Sequence, residues 1–291
     1  MDRRKTLAIL GGALASSCSL GPRRIVVGAK NFTEQLILGE VLAQQIERRL
    51  SVQVDRRLNL GGTLLAHQGL VTGAIDLYPE YTGTALTAIL RLAPEHDSGK
   101  AFGRIAEEYG KKFKVEWLRP FGFNNSFAMV VKGQDARSSN LKTLSDAARQ
   151  PQAWALGIGY EFERRPDGLA ALNRAYALNW TGTPKTMDLG LLYKALEQGQ
   201  VTMVAGNGTD GVLAKMDFTV LEDDKRVFPP YEAAVAVRTS TLNEFPALRG
   251  ALGELSGAIS EDLMRKLNFQ VDGEHRPIQD VARELLRSVR Q

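Results

Sequence analysis

The feature that most constrains the fold is a repeated alternation of short β-branched runs with longer amphipathic runs. Residues 25–28 are apolar and end in glycine, and from Thr33 to Leu50 the apolar residues recur at helical spacing. A second unit follows, with a strand-like pattern at 52–54 and a helical run that begins near Thr63. Strands that alternate with helices predict α/β domains with largely parallel sheets.

The same alternation returns after residue 127. Further strands are predicted at 128–131, 155–159, 201–205 and 233–237, and further helices at 141–149, 167–177, 189–198, 242–255, 261–267 and 278–289. A chain of 291 residues is long enough for two domains of ordinary size. Because no low-complexity linker separates them, we predict that residues 127–131 and 233–237 cross between two α/β domains.

The N-terminus has the layout of an export signal. Three basic residues at positions 3–5 precede an apolar run, 7–15, which ends in small residues before Cys18. We therefore assign residues 1–24 to a signal peptide and lipoprotein linker, with Cys18 as the lipidation site. The alternative is that Cys18 is an incidental residue of a discarded signal, and Arg3-Arg4 leaves a twin-arginine route open. The expected location is the periplasm or the outer face of the cytoplasmic membrane.

Charge and composition exclude several classes of function. The chain is formally +4, but residues 1–17 carry three positive charges and one negative, so the remainder carries only +2. Its arginines and lysines are dispersed, which argues against a nucleic-acid surface. No later segment has the roughly 20 consecutive apolar residues of a membrane helix, so we expect membrane contact only through the lipid anchor.

The sequence offers no catalytic or metal-binding constellation. Its three histidines, His67, His96 and His275, are far apart and lack metal-ligand spacing. Ser126 lies in no nucleophile elbow, and Cys18 is the only cysteine. We therefore predict no catalytic residue, no metal and no cofactor, and keep an exported enzyme only as a minor alternative.

Two loops have the position and chemistry of anion-binding elements. Lys30 follows the first strand, and the carboxyl ends of strands in α/β sheets are where ligands bind. Residues 59–63 present a glycine pair at a helix start, where free N–H groups favour a carboxylate or phosphate. Each has an ordinary alternative: a loop lysine is commonly solvated, and glycine pairs commonly serve a turn.

Three aromatic residues lie where predicted strands end or cross between the domains. Tyr81 ends a strand-like stretch, Phe127 begins the first crossing, and Tyr231 begins the return behind Pro229 and Pro230. Aromatic faces attract a desolvated quaternary ammonium group by roughly 2 kcal/mol. The alternative reading is ordinary core packing.

Several motifs together closely resemble the substrate-binding proteins of quaternary-amine ABC transporters, the importers of glycine betaine, choline and carnitine. The matching segments are VVGAKNFTEQ at 26–35, NLGGT at 59–63, DLYPEYTGT at 76–84, and shorter stretches at 123–125, 165–168, 187–196, 209–210 and 228–238. The resemblance implies a two-lobed α/β, type II periplasmic-binding-protein fold with two crossing strands. It further implies that residues 25–126 plus 232–291 form domain one and residues 127–231 form domain two.

The family resemblance also implies a ligand site. Members hold the ammonium head in an aromatic cage and the carboxylate with basic and hydroxyl groups. The positions of this chain that match are the tyrosines Tyr81 and Tyr231, the threonine Thr84 and the basic residues Lys30 and Arg165. Two positions depart from the family pattern, because Phe127 and Asn207 stand where tyrosine is common. Phe127 keeps the π face without the hydroxyl, whereas Asn207 leaves a wall of the cage missing.

These departures lead to a hypothesis about the ligand. We expect the ligand to be either glycine betaine held weakly, or choline, carnitine or a bulkier betaine such as ergothioneine. We further expect a monomeric protein that delivers this ligand to an ABC transporter permease. The alternative within the same fold is an amino acid or another anionic solute.

Overall fold

A computed structural model describes residues 24–289. Within that range there are ten strands: Ile25–Gly28 (β1), Val54–Arg57 (β2), Leu77–Tyr81 (β3), Val115–Trp117 (β4), Phe127–Lys132 (β5), Leu156–Ile158 (β6), Lys185–Thr186 (β7), Met203–Asn207 (β8), Phe218–Leu221 (β9) and Ala233–Arg238 (β10). Residues 1–23 lie outside the described part, and with them the predicted signal and Cys18.

The same range contains α-helices that flank the strands. They are Thr33–Leu50 (α1), Thr63–Thr72 (α2), Thr82–Thr84 (α3), Ser98–Phe113 (α4), Gly133–Ser138 (α5), Leu144–Ala148 (α6), Tyr160–Arg164 (α7), Leu169–Tyr176 (α8), Leu189–Glu197 (α9), Thr239–Glu244 (α10), Ala247–Gly253 (α11), Glu261–Asp272 (α12) and Ile278–Ser288 (α13). A π-helical turn covers Ala85–Ile89 and a 3₁₀ turn covers Gly211–Ala214. Between residues 24 and 289, no helix combines the length and apolar character needed to cross a bilayer.

The strands form two separate five-stranded sheets. The first has the order β2-β1-β3-β10-β4 and defines lobe one, with α1–α4 and α10–α13 around it. The second has the order β7-β6-β8-β5-β9 and defines lobe two, with α5–α9. The chain therefore leaves lobe one before β5 and returns to it at β10. A bridge between Asn124 and Glu232 joins the outgoing and returning segments.

The expectation of largely parallel sheets is wrong. Each sheet contains two parallel pairings and two antiparallel ones. In both lobes the antiparallel pairings belong to one strand, β10 in lobe one and β5 in lobe two. These are the strands through which the chain enters each lobe from the other one, and each runs against the other strands of its sheet.

Several predicted element boundaries are also corrected. The second strand begins at Val54, and the helix predicted over 141–149 begins at Leu144, where the Thr143 side chain accepts a hydrogen bond from the Asp146 N–H. The helix predicted over 242–255 is two helices, because Pro246 lacks the N–H that a helix interior needs. At the start of α1, the Thr33 hydroxyl donates a hydrogen bond to Asp272 at 2.6 Å.

Buried apolar side chains connect the two lobes. One continuous cluster includes the inner faces of both sheets and passes through the crossing region at Phe123, Phe127 and Tyr231. A second cluster lies on the other face of the first sheet, around Tyr78 and Tyr109. The crossing segments are thus part of the core, and side chains from both lobes meet next to them.

Candidate functional site

Lys30 and Tyr81 lie at the carboxyl ends of neighbouring strands in lobe one. Lys30 is 3% exposed, so it is not a solvated loop lysine. Its ammonium group donates to Glu80 Oε1 at 2.5 Å and to Thr63 Oγ1 at 3.1 Å, and it lies 5.2 Å from the centroid of the Tyr81 ring. A buried ammonium needs such partners because removing it from water is costly. Lys30 is consequently fixed in place beside the aromatic face of Tyr81.

Arg165 connects the two lobes at the centre of the site. It follows α7 in lobe two, and its Nη1 donates to Thr84 Oγ1 of lobe one at 2.9 Å. Its Nε and Nη2 donate to the two oxygens of Asp167 at 3.0 and 2.6 Å. Asp167 therefore already holds the fork that we expected to bind a ligand's carboxylate, and it is a site residue that the sequence did not single out.

Asp167 also contacts lobe one and the returning segment. Its Oδ2 accepts hydrogen bonds from Thr87 Oγ1 at 2.8 Å and from the Tyr231 hydroxyl at 2.5 Å. Burial favours the neutral acid, but the Arg165 guanidinium and the hydroxyl donors outweigh burial and lower the pKa of Asp167. This carboxylate is accordingly a charged junction between both lobes.

Phe127 and Tyr231 form one aromatic wall next to Arg165. Their ring centroids are 5.5 Å apart at an interplanar angle of 66°, and Phe127 also packs edge-on against Phe162 and Phe228. The guanidinium carbon of Arg165 lies 5.0 Å from the Phe127 centroid and 5.4 Å from the Tyr231 centroid. Both distances are within the range of a cation–π contact. The two rings therefore contact a cation, which is the guanidinium group of the chain's own Arg165.

Tyr81 belongs to a different part of the site. Its ring stacks on Phe32 at 6.3 Å, and its hydroxyl donates to Glu34 Oε1 at 2.6 Å. The sequence-predicted residues thus fall into a Lys30–Tyr81 group and an Arg165–Phe127–Tyr231 group. Thr84 joins the second group through Arg165 and is three residues from Tyr81.

Asn207 lies beside Phe127. The two residues are directly opposed in the antiparallel ladder between β5 and β8. Opposed residues point to the same face of a sheet with Cβ atoms about 5 Å apart. The Asn207 side-chain amide reaches Asp210 Oδ1 at 3.4 Å, and the Asn207 N–H donates to Asp210 Oδ2 at 2.8 Å.

The start of α2 binds a carboxylate that belongs to the protein itself. Glu161 of lobe two accepts hydrogen bonds from the Thr63 N–H at 2.5 Å and from Thr63 Oγ1 at 3.0 Å. Burial opposes ionisation of Glu161, and the nearby Lys30 charge together with the Thr63 N–H lowers its pKa overall. The sequence-based expectation of an anion at this helix start has the right chemistry, but no pattern in the sequence indicated Glu161 as the anion.

A second buried carboxylate, Glu34, was also missed. It is 2% exposed, and it accepts hydrogen bonds from four side chains: Tyr81, Asn125, Thr209 and Asn268. Burial raises the pKa of Glu34, and the four donors offset only part of that rise. Within residues 24–289, no cluster of three or more histidine, cysteine or acidic residues could hold a metal ion.

Comparison with known proteins gives consistent matches over nearly the whole chain. A family model described as the substrate binding domain of ABC-type glycine betaine transport systems matches residues 23–288. The carnitine transport binding protein OpuCC of Listeria monocytogenes is 31% identical over 96% of this chain and 93% of its own length. A glycine-betaine-binding protein of Pseudomonas aeruginosa is 32% identical over 90% of this chain and 86% of its own.

Two further matches add a longer relative and a solved structure. The ergothioneine transport permease/ergothioneine binding protein EgtU of Helicobacter pylori is 32% identical over 94% of this chain, which spans 50% of that relative's length. A crystal structure described as a glycine betaine/carnitine/choline ABC transporter superposes with a TM-score of 0.77 and 31% identity, covering 90% of this chain and 97% of that one.

Proposed function

The chain belongs to the family of substrate-binding domains of ABC-type glycine betaine transport systems, and on that premise we propose that it captures a quaternary-ammonium zwitterion between its two lobes. The fold is the two-lobed periplasmic-binding-protein fold, and the protein is an extracytoplasmic solute-binding component of an ABC importer. The two ends of a zwitterion carry opposite charges and need different binding groups.

The observation that carries the proposal is the cation held against two aromatic faces. The Arg165 guanidinium lies 5.0 Å from the Phe127 ring and 5.4 Å from the Tyr231 ring, inside the region where the lobes meet. A trimethylammonium group has the same charge and no N–H to satisfy, so an aromatic surface suits it better than it suits arginine. Phe127 and Tyr231 are therefore proposed as cage walls, with Tyr81 as a third.

Groups for the negative end of the ligand lie next to these rings. Lys30 supplies a buried ammonium, Thr84 a hydroxyl, and Arg165 a planar fork that suits a carboxylate. The Thr63 N–H at the start of α2 already binds the Glu161 carboxylate at 2.5 Å, which supports carboxylate affinity at this position. In this proposal the ligand's carboxylate competes with the protein's own carboxylates, Glu161 and Asp167, for these donors.

The two sheets suggest how capture works. We propose that residues 25–126 plus 232–291 form one domain and residues 127–231 the other, and that they close about the two crossing segments. Contacts such as Thr84–Arg165 and Thr63–Glu161 join opposite lobes, and a ligand that adds further contacts to both lobes shifts the equilibrium towards closure. The closed form is then the one offered to the transporter permease.

The ligand we favour is larger or more polar than glycine betaine, or is glycine betaine held weakly. Asn207 lies opposite Phe127 in the β5–β8 ladder and brings an amide where the family resemblance implies a tyrosine ring. The missing ring removes one cation–π contact and adds a hydrogen-bonding group and space. Carnitine and a betaine of an aromatic amino acid such as ergothioneine are the candidates for the larger ligand.

Isothermal titration calorimetry of the purified mature protein tests this proposal. We expect a bulkier trimethylated compound to bind more tightly than glycine betaine. Submicromolar affinity for glycine betaine with no response to bulkier compounds would overturn the specificity part. Binding of an amino acid, with no trimethylated compound raising the melting temperature, would overturn the ligand class, and consumption of a bound ligand would show an enzyme.

Mass spectrometry of the small molecule that co-purifies after gentle denaturation identifies the ligand directly. The same preparation tests three accompanying proposals: that the protein is periplasmic or held at the membrane by a lipid on Cys18, that it is monomeric, and that it carries no cofactor and no catalytic activity. An intact mass with an N-terminal diacylglyceryl cysteine would establish the anchor.

A further inference from the structure

Thr209 of lobe two is inserted into a socket built outside that lobe. It is fully buried and lies two residues after the end of β8. Its hydroxyl donates to Glu34 Oε2 at 2.5 Å, and its N–H donates to Asn125 Oδ1 at 3.4 Å. Its carbonyl oxygen accepts from Asn268 Nδ2 at 2.8 Å. The hydroxyl, N–H and carbonyl groups of Thr209 are therefore all bound by lobe one or by the outgoing segment. We call the three residues that bind them, Glu34, Asn125 and Asn268, the Thr209 socket.

The loop around Thr209 packs tightly on α12 of lobe one. The Gly208 carbonyl oxygen accepts a hydrogen bond from Arg265 Nε at 2.7 Å. A Cβ placed on Gly211 would lie 2.3 Å from the backbone nitrogen of Phe269, so the two backbones are in direct contact there. Thr209 is thus held from three sides, and its place in the socket depends on the relative position of the lobes.

Glu34 links this socket to the ligand site. One of its oxygens accepts from Thr209 and from Asn268, and the other accepts from the Tyr81 hydroxyl at 2.6 Å and from Asn125 Nδ2 at 2.9 Å. The carboxylate belongs to the first turn of α1. A buried carboxylate is costly unless donors surround it, and the Thr209 hydroxyl is a donor that Glu34 has only while Thr209 occupies the socket.

We propose that Glu34 is a positioning residue that couples the orientation of Tyr81 to closure of the lobes by capturing Thr209. The same capture fixes the loop that carries Asn207, two residues upstream and opposite Phe127. The Glu34 carboxylate in this way orients Tyr81 in lobe one and positions the loop with Asn207 in lobe two. The effect on closure rests on the proposed movement of the lobes and is measured without a ligand, whereas the effect on ligand affinity rests also on the proposed ligand class.

A cross-linking rate measures closure without any ligand. Leu64 and Tyr160 are exposed, and each is adjacent in sequence to a partner of the Thr63–Glu161 contact between the lobes. The only native cysteine is Cys18, so a Cys18→Ser chain with Leu64→Cys and Tyr160→Cys reacts with a short bifunctional thiol reagent at a rate proportional to its closed fraction. The Thr209→Val, Thr209→Ser and Thr219→Val substitutions are compared in this background.

We expect Thr209→Val to slow the cross-linking about tenfold, because it keeps the shape and removes a hydrogen bond to a charged group. Thr209→Ser restores the hydroxyl and therefore the rate, and Thr219→Val controls for loss of a lobe-two threonine elsewhere. Equal rates for Thr209→Val and the parent would overturn the proposal, and so would an equal slowing by Thr219→Val. Should Thr209→Val not fold, Glu34→Gln is read in the same assay with the same expected slowing.

A double-mutant cycle separates positioning from simple stabilisation. With the ligand identified by co-purification as the probe, Tyr81→Phe and Thr209→Val are each expected to weaken binding, and each to change affinity less than about twofold in a Glu34→Gln background. Fully additive losses would overturn the coupling. If no trimethylated compound binds the parent, the proposed ligand class fails while the cross-linking result still decides the role of Glu34 in closure.

Discussion

The hydroxyl of Tyr231 donates a 2.5 Å hydrogen bond to Asp167, the carboxylate that also holds the Arg165 guanidinium. Tyr231 therefore has two separable functions. Its ring face is part of the proposed cage, and its hydroxyl is part of the charged junction between the lobes. Burial together with the Asp167 charge raises the pKa of Tyr231 well above its ordinary value, so the hydroxyl stays protonated and remains a donor.

The two functions of Tyr231 separate on substitution. We expect Tyr231→Ala to weaken ligand binding by about 2 kcal/mol or more, because it removes a cation–π face in a desolvated site. Tyr231→Phe keeps the face and removes one donor of several to Asp167, so its loss is expected to be about 1 kcal/mol. Calorimetry on both variants measures the difference, and equal losses would show that the hydroxyl, not the ring, matters.

Gly83 is expected to tolerate no side chain. A Cβ at this position would lie 2.6 Å from Tyr231 Cδ1 and 2.8 Å from the Pro230 carbonyl oxygen. Gly83→Ala should therefore displace the Tyr231 ring, weaken ligand binding and lower the free energy of unfolding by about 1–3 kcal/mol.

The matched control for Gly83 is Gly103. It is exposed within α4 and a Cβ there meets nothing within 4 Å. Gly103→Ala should raise the free energy of unfolding by roughly 0.5–1 kcal/mol, because alanine is the better helix former. Chemical denaturation of both variants gives the comparison, and a neutral Gly83→Ala would contradict the packing argument.

Arg165 is expected not to be replaceable by lysine. Three of its nitrogens are bound, two by Asp167 and one by Thr84. A lysine ammonium cannot reproduce this planar fork, so Arg165→Lys should weaken ligand binding at least tenfold. The exposed neighbour Arg164 supplies the control, since Arg164→Lys should leave the dissociation constant within about twofold. Similar affinities for the two variants would indicate that only the charge of Arg165 matters.

Asn207 is the position where specificity is expected to change. Asn207→Tyr adds a ring beside Phe127 and should tighten glycine betaine binding about tenfold while weakening the bulkier ligand. Asn207→Leu adds volume without a π face and so should weaken the bulkier ligand without improving glycine betaine. Titration of both variants with both compounds is the test. Tighter glycine betaine binding by the leucine variant would mean that volume alone sets specificity.

Asp167 is expected to contribute stability that disappears in acid. Its pKa is lowered from 3.8 in the folded protein, so the unfolded chain binds the proton more readily and the contribution is complete above that value. The contribution is lost as the pH falls through the folded pKa. The difference in unfolding free energy between the parent and Asp167→Asn should therefore be constant above about pH 5 and shrink below pH 3.8.

The comparison with Asp167→Asn removes the effect of other groups on this measurement. Glu34 has a raised pKa and gives the opposite slope above 4.5, but it is present in both proteins and cancels in the difference. A difference that grows as the pH falls from 5 to 3 would contradict the assignment of Asp167 as an ionised junction.

The strand and helix pattern was predictable because the local periodicity of apolar residues indicates it. The first strand and α1, α9 and α13 are where the spacing of apolar residues put them. The helix Ser98–Phe113 and the strand Phe218–Leu221 were not anticipated, and the parallel character of the sheets was overestimated. Strand direction depends on where the chain re-enters each lobe, which involves residues such as Tyr81 and Ala233 that are paired across 152 positions of sequence.

The candidate site likewise has features that the sequence predicted and features that it did not. The amino-acid sequence by itself determined most of the βα units through local periodicity, and its family-type motifs singled out Lys30, Tyr81, Arg165 and Tyr231 as expected site residues. Only the tertiary structure decided the partners: Glu80 for Lys30, Asp167 for Arg165, and Glu34 for Thr209. Burial is the physical reason, since a charge removed from water needs hydrogen-bond donors or acceptors, and the fold determines which groups are within reach. The sequence does not indicate which acidic residues become buried.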